Sequence, residues 1–564
     1  MFFLFSDGRI NVKNVYYIII LTEPWVRIMK ISQNKKYQWL LPTPEEVKGG
    51  IRLASQLGLQ PLTGKILYRR GLQTPSQARS FLYPSLDELE DPFLFAHMEK
   101  AVERIGLAIK KRERIWIYGD YDVDGVTSTA VISKILRFLG ANVERYIPHR
   151  LKEGYGLHKD WILEAQKKGI GLLICVDNGT SAFQEVEYAD SLNIPVIIVD
   201  HHFPKDKGLP PAYAILNPKM EDASYPFPHL AGVGVALKLA FALAEKYCTL
   251  SQKRSSEFEA LVQELLAFAA LGTIADLVPL IQENRVIAKY GLLALERSKS
   301  PGIHALLDVA GVRDRSLHVR DISFKLAPLI NAAGRMGEAL EALYLLEADS
   351  TVEAYKLGKN LARHNRKRRE ICREIYQDAL RRIKEEEQEE SPLLVLASQD
   401  WHPGLVGIVA ARLATEFKRP VVLLAQDGDF AKGSARSVMG KPIYPLLEKL
   451  ESHFLRFGGH MLAAGFEMEK TQIPCFIENL LGEGKEYFEK KVSRQGIPVD
   501  GEAKFLEITP ALVRELDLFS PYGQTNTKPL LFSRNLSIVG RPRRYGHQNK
   551  HLLLYLRQGD KVLK

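Results

Sequence analysis

The chain has 564 residues, 46% of them hydrophobic and 26% charged, with a net charge of +10. This is a globular composition of three or four ordinary domains, and the excess of Lys and Arg fits a polyanionic partner. Four scattered cysteines (Cys175, Cys248, Cys372, Cys475) without any CxxC pair exclude a zinc knuckle and a disulfide framework, and fit a reducing compartment.

Val15–Leu21 is the first patterned segment, an apolar run. It is shorter than the roughly 20 residues that cross a bilayer. Glu23, Pro24 and Arg27 follow it without a small-residue cleavage site, so neither signal peptide nor membrane span is expected. Residues 1–42 read as an extension with no evident partner, and Met29 offers a smoother start. From residue 43 to 110, apolar residues recur at helical spacing, most clearly between Val47 and Leu67.

An alternation of strands and helices follows. Ile115–Tyr118, Gly171–Val176 and Pro195–Val199 are apolar runs of strand length, and Val143–Ile147 reads as another strand. The first runs into Gly119-Asp120-Tyr121-Asp122-Val123-Asp124-Gly125, with a helix expected from near Thr127. Gly171–Val176 ends at Asp177-Asn178-Gly179 and Pro195–Val199 at Asp200-His201-His202. Such alternation predicts an α/β fold with a parallel sheet. Residues 257–271 form an apolar helix leading into Gly272-Thr273-Ile274-Ala275-Asp276.

Residues 351–390 predict one long charged helix, basic in its middle (Arg363, Arg366, Lys367, Arg368, Arg369) and acidic at its end. Such a run is ordinarily a solvated connector, and the sharper reading makes its middle a DNA-facing stripe. Pro392 stops it, and Leu393–Ala397 opens a second α/β domain. From Pro498, short strands and turns such as Pro521-Tyr522-Gly523 predict a small β-rich module. The expected division is an extension (1–42), a parallel-sheet domain with a helical entry (43–350), a connecting helix (351–391), a smaller α/β domain (392–490) and the β-rich module (498–564).

Ligands of open parallel sheets bind beyond the carboxyl ends of the strands. Here three strands end in acids or histidines, so Asp120, Asp122, Asp124, Asp177, His201 and His202 converge on one crevice. Clustered carboxylates repel one another unless cations neutralise them. Carboxylates mixed with imidazole suit Mn²⁺ better than Mg²⁺. Two such ions about 3.5–4 Å apart are a standard device for phosphoryl hydrolysis. A calcium loop is the alternative for Asp120–Gly125, but its twelfth position is Val131 rather than Glu, and a buried strand precedes it.

At these residues the sequence resembles the DHH phosphoesterase superfamily. Asp200-His201-His202 is its signature triplet, and Tyr118–Gly125, Val176–Gly179 and Gly272–Asp276 match its other amino-terminal motifs. Asn331-Ala-Ala-Gly-Arg-Met336, Trp401–Gly407, Gly433-Ser-Ala-Arg-Ser437 and Phe457-Gly-Gly-His460 resemble the RecJ branch with its DHHA1 domain. The resemblance runs from about residue 39 to the end. It implies Asp122, Asp124, Asp177, His201 and Asp276 as ligands of two divalent ions, Mn²⁺ or Mg²⁺, with Asp177 as the bridge. It places Asp120 and His202 in the same site, orienting a ligand or contacting the scissile phosphate. It gives phosphate binding to Arg335 and His460, close nucleotide approach to Gly458 and Gly459, and 5′-phosphate binding to Arg150, Ser434 and Arg436.

The resemblance further implies an OB-type module that grips single strands, with Asp500-Gly501-Glu502 at its opening. The module looks short of its closing strand after Gln558-Gly559-Asp560. The implied function is a cytoplasmic, monomeric 5′→3′ exonuclease specific for single-stranded DNA. It would release 5′-mononucleotides in DNA repair and recombination, with a single-strand-binding protein and a helicase as partners. The rivals are a DHH phosphodiesterase for short oligonucleotides or cyclic dinucleotides, and a catalytically inactive DHH scaffold of DNA replication. The β-rich module speaks against the first, and the full ligand set against the second.

Overall fold

The computed structural model describes residues 16–22, 25–31, 38–150, 152–204, 208–220, 224–489, 496–546, 549 and 551–563. Residues 1–15, 23–24 and 32–37 of the amino-terminal extension, including Val15 of its apolar run, lie outside the described residues. The chain divides into two compact units, one of residues 89–278 and 283–493, the other of residues 1–88, 279–282 and 494–564.

The first unit holds the parallel sheet. Its strands lie in the order Asn142–Tyr146, Arg114–Tyr118, Ile170–Val176, Val196–Val199, Ala214–Leu216, all parallel. Numbered along the chain the order is 2-1-3-4-5, so the winding reverses beside the first strand. The carboxyl ends of the first and third strands flank that switch point, where such sheets open a crevice. The fifth strand has only three residues, too short to stand out as a pattern in the sequence.

The helix after the first strand runs from Val123 to Phe138, a turn earlier than the expected start near Thr127. Asp122 is the reason. Its Oδ1 accepts the N–H groups of Asp124 (2.9 Å) and Gly125 (3.1 Å), which caps the helix at once. Ser256–Ala275 is the one described helix long and apolar enough to cross a membrane. It packs instead against Val123–Phe138 and Gly232–Tyr247, with Leu265–Ile274 buried. The core helix thus ends at Asp276.

Thr351–Glu385 is a single helix of 35 residues. One face (Ala354, Gly358, Leu361, Asn365, Ile375, Tyr376, Ala379, Ile383) is buried, while Arg363, Arg366, Lys367 and Arg369 lie outside that buried face. Beyond it, a five-stranded sheet has the order Arg456–His460, Ala463–Glu469, Phe430–Arg436, Val421–Asp427, Leu394–Ser398, with only the last pair parallel.

The second unit corrects two expectations. The sequence reading groups residues 43–88 with the parallel sheet. Their helices Pro44–Leu57, Pro61–Arg69 and Pro75–Leu82 instead share a core with the carboxy-terminal residues: Leu53, Leu62, Ile66, Leu67 and Leu82 pack with Ala503, Leu512, Leu516, Phe519 and Leu531. An amphipathic helix signals that it needs a partner without saying which one. The apolar run expected to lack a partner forms the strand Tyr16–Thr22, antiparallel to both Leu530–Ser533 and Trp25–Ile31. At the far end of the module, Lys561–Leu563 returns as a short strand on Leu556–Gln558, in a sheet with Ser537–Tyr545.

Candidate metal centre

Three strand ends and one helix end deliver the acids to the switch point. His201 Nε2 lies 3.3 Å from Asp177 Oδ1, 3.7 Å from Asp124 Oδ2 and 3.7 Å from Asp276 Oδ2. Three overlapping sets of donor atoms could each hold a cation: Asp120, Asp122 and Asp177; Asp124, His201 and Asp276; Asp177, His201 and His202. Within each set the atoms lie within 4.8 Å of one another. Asp177 and His201 each belong to two of them.

Glycines make the approach possible. A Cβ on Gly232 would come within 2.6 Å of Asp177 Oδ1, and one on Gly272 within 2.8 Å of Asp124 Oδ1. The backbone N–H groups of Gly232 and Val233, at the start of the helix Gly232–Tyr247, donate to Asp124 Oδ2 (2.7 Å) and Oδ1 (2.8 Å). Asp177 itself has φ 59°, a left-handed conformation that non-glycine residues adopt at a cost. Asn178 holds the strained turn by donating to the carbonyls of Val176 (2.8 Å) and Tyr118 (3.3 Å).

The charges are unbalanced. Burial, then the neighbouring Asp122, pushes Asp120 up to about 8 and Asp276 up to about 7. Burial raises Asp124 and Asp177 well above the carboxylate range, and the charges of neighbouring carboxylates add to it. Among the described residues, Asp120 Oδ1 and Asp177 Oδ1 are buried without a hydrogen-bond partner. Orphaned carboxylate oxygens of this kind are the donor set a divalent cation requires. Burial also depresses His201, to about 3, leaving the neutral imidazole that ligates metals.

Asp200 does different work. Its Oδ1 accepts the N–H groups of His201 (2.7 Å) and His202 (3.2 Å) and lies 2.8 Å from His202 Nδ1, and its Oδ2 accepts Thr180 N–H at 3.0 Å. Burial opposes its ionisation, but the bond and charge of His202 hold it below the usual range. In return Asp200 overcomes the burial of His202 and lifts that imidazole to about 9.

A basic group adjoins the acids. Gly334 lets the helix Ala327–Met336 press on the loop, since a Cβ there would reach Tyr121 O at 2.9 Å. Arg335 follows, donating to Gly404 O at 2.8 Å. The Arg150 guanidinium lies 4.5 Å from the centre of the Tyr121 ring. Burial and the charges of Arg150 and Arg368 depress Arg335 to about 9, and burial and Arg150 lower Arg436. Arg436 Nη1 donates to Ser434 Oγ at 3.0 Å. Cations that disfavour one another in this way form a ready anion site.

The other sequence-derived residues lie on the edge strand Arg456–His460, where Gly458, Gly459 and His460 are exposed. Gly459 is needed by its own hairpin, because a Cβ would approach Ala463 O to 2.3 Å, whereas Gly458 faces open space. Sequence reading passed over Tyr155, whose hydroxyl is 3.2 Å from His202 Nδ1 and 3.4 Å from Asp177 O. Its flanking glycines Gly154 (φ 89°) and Gly156 (φ 91°) were the available signal. Lys219, whose charge interacts with Asp276, Asp200 and Asp124, had none.

Comparison with known proteins agrees with this geometry. The chain matches the models of the DHH family, N-terminal domain (residues 114–273), the DHHA1 domain (390–486) and the RecJ OB domain (499–564). It is 36% identical over 534 residues to the single-stranded-DNA-specific exonuclease RecJ of Bacillus subtilis, covering 94% of this chain and 65% of that protein. With the Escherichia coli protein of the same name it shares 35% over 484 residues, covering 84% of this chain and 83% of the relative. The chain thus spans about two thirds of one relative and most of the other. The crystal structure of RecJ in complex with Mn²⁺ from Thermus thermophilus superimposes with a TM-score of 0.76 at 29% identity, covering 94% of this chain and 76% of that one. A second, of exonuclease RecJ bound to manganese, gives 0.60 at 31% identity over 77% of this chain and 99% of that one. Sequence, fold and the order of the three modules agree, and the chain belongs to the RecJ family of single-stranded-DNA-specific exonucleases.

Proposed function

We propose that this chain is a metal-dependent hydrolase that degrades single-stranded DNA from the 5′ end, releasing 5′-mononucleotides. The carrying observation is the pairing of an undercompensated acid cluster with the Arg150–Arg335–Arg436 group, joined through Asp120-Tyr121. Asp122, Asp124, Asp177, His201 and Asp276 would hold two divalent ions, Mn²⁺ by the mixed oxygen and nitrogen donors, with Mg²⁺ as the substitute. Ions held there would supply Lewis acidity and lower the pKa of the attacking water.

The chain's own groups do the rest. Asp200 keeps His202 protonated, so that it meets the scissile phosphate as a cation. Arg335, anchored by its bond to the Gly404 carbonyl, takes a second phosphate. Arg150, Arg436 and Ser434 receive a terminal 5′-phosphate, which offers more charge and more free oxygens than an internal diester. His460 and Gly458 border the nucleotide. The basic face of the connecting helix and residues 498–564 hold the following strand. Its processing belongs to repair and recombination in the cytoplasm, where a single-strand-binding protein and a helicase would supply the strand to a monomeric enzyme. The intact acid set argues against an inactive scaffold.

A gel assay with 5′- and 3′-labelled single strands and Mn²⁺ tests the reading. Release of labelled mononucleotide from the 5′ end alone is expected. Release from the 3′ end, or equal rates on blunt duplex, would overturn it.

A further inference from the structure

An aromatic side chain in the middle of polar chemistry calls for a reason. Phe203 directly follows Asp200-His201-His202, yet it is 70% exposed. Burying such a ring is ordinarily favourable by about 1.5–3 kcal/mol, and a lone exposed Phe needs no explanation, but this one has a cation beside its ring. The Lys219 Nζ lies 4.9 Å from its ring centre.

Both residues are set by a single buried amide. Asn217 is fully buried; its Nδ2 donates to His202 O (2.8 Å) and to Thr180 Oγ1 (3.0 Å), and its Oδ1 accepts Lys219 N–H at 2.9 Å. One side chain thus ties the carbonyl just before Phe203 to the N–H of Lys219. The loop after the fourth strand and the loop after the fifth emerge together at the acid cluster. The Lys219 ammonium interacts electrostatically with Asp276, Asp200, Asp124 and Asp177, so it stands at the rim of the same site.

We infer that Phe203 and Lys219 form a nucleotide subsite beside the metal centre. Phe203 stacks on the base next to the bond being cut, and Lys219 binds a phosphate oxygen of the same nucleotide. The inference rests on the reading of the chain as a single-stranded-DNA nuclease. Every base has a π face, so a phenyl platform accepts all four, and each stacked base is held by about 1–3 kcal/mol. A base in a duplex must be unpaired and unstacked from its neighbour before it can follow the strand onto the platform, so the platform also disfavours double strands. The cation over one part of the ring neutralises phosphate charge without blocking the rest.

Single-stranded oligonucleotides carrying one abasic nucleotide at each of the first four positions test it, with Phe203→Ala, Phe203→Trp and Lys219→Met against the parent chain in Mn²⁺. For the parent, kcat/KM should fall about 10-fold at one abasic position, the size of one lost stack. Phe203→Ala should lose about as much on the intact strand, carried in KM, and lose nothing more at that position. Phe203→Trp should restore it. Lys219→Met should flatten the salt dependence of KM. Bis-p-nitrophenyl phosphate, hydrolysed by the parent chain alone, reports the metal site separately from the nucleic-acid track. An Ala variant as active as the parent on intact strands, or as sensitive as the parent at every abasic position, overturns the subsite. If the parent hydrolyses the small diester but no single strand, the nuclease reading fails instead, and the subsite with it.

Discussion

Asp200 Oδ1 and His202 Nδ1 are 2.8 Å apart in a turn whose own N–H groups also point at that carboxylate. The carboxyl is held low and the imidazole high, so the pair stays charged across the neutral range. The signs follow for stability. A depressed Asp200 contributes above the ordinary carboxylate pKa and loses that contribution as pH falls below it. A raised His202 contributes below its ordinary pKa of about 6.5 and loses that contribution as pH rises through about 9. In the metal-free protein, the His202 ring resonances should titrate near 9, and in Asp200→Asn near the ordinary value. Turnover of that variant should fall about 10–100-fold, the worth of a charge-assisted hydrogen bond to the phosphate. An unshifted His202 titration would show that another group holds the charge.

The acid cluster has the opposite sign. Carboxyls raised above their ordinary pKa destabilise the metal-free fold increasingly as pH climbs from about 4 towards the values of Asp276 and Asp120, about 7 and 8. Scanning fluorimetry should show a gap in Tm between Mn²⁺-loaded and chelator-treated protein that widens from about pH 5 to about pH 8. Asp177→Ala should abolish hydrolysis while raising the Tm of the metal-free chain, because it removes a buried carboxyl crowded by others. A gap independent of pH would mean the carboxyls are already neutralised.

Gly232→Ala places a Cβ 2.6 Å from Asp177 Oδ1. Isothermal titration should find Mn²⁺ binding weakened by about 10-fold or more, with circular dichroism unchanged. Unaltered Mn²⁺ affinity would remove Asp177 from the ligand set.

These tests probe a site that was partly legible in the sequence. The three central strands of the parallel sheet that end in acids stood out because buried parallel strands are continuous apolar runs with abrupt ends. Asp276 needed the helix Ser256–Ala275 to be traced to its last turn. Gly232 was invisible, since it acts by lacking a side chain, and Tyr155 arrives from a loop of no regular period, marked only by its flanking glycines. The helices of residues 44–82 showed their apolar faces clearly, but no local pattern announces a partner so distant along the chain.

Arg436 donates to Ser434 and feels the charge of Arg150. Arg436→Ala should reduce the rate advantage of 5′-phosphate over 5′-hydroxyl ends by about 10-fold or more, the worth of a charge-assisted bond. Hydrolysis of a small model diester should be unaffected. A variant that keeps the parent's ratio would remove the residue from end recognition.

Tyr16–Thr22 occupies the edge of Leu530–Ser533. A chain starting at Met29 leaves that edge open and takes away half of the partner strand Trp25–Ile31, so its Tm should fall by several degrees. An unchanged Tm would show that the pairing adds nothing to stability.

The core that joins Leu62, Ile66 and Leu67 to Leu512, Phe519 and Leu531 has a consequence for synthesis. At about 5–20 residues per second, the ribosome needs on the order of 20 s or more to deliver the second half of that core after the first has emerged. Meanwhile the nuclease body can fold as a finished piece in between. The opening helices must wait with their apolar faces uncovered. A growth temperature or a codon change that slows elongation should therefore damage the yield of this protein at its beginning and end before it damages the middle.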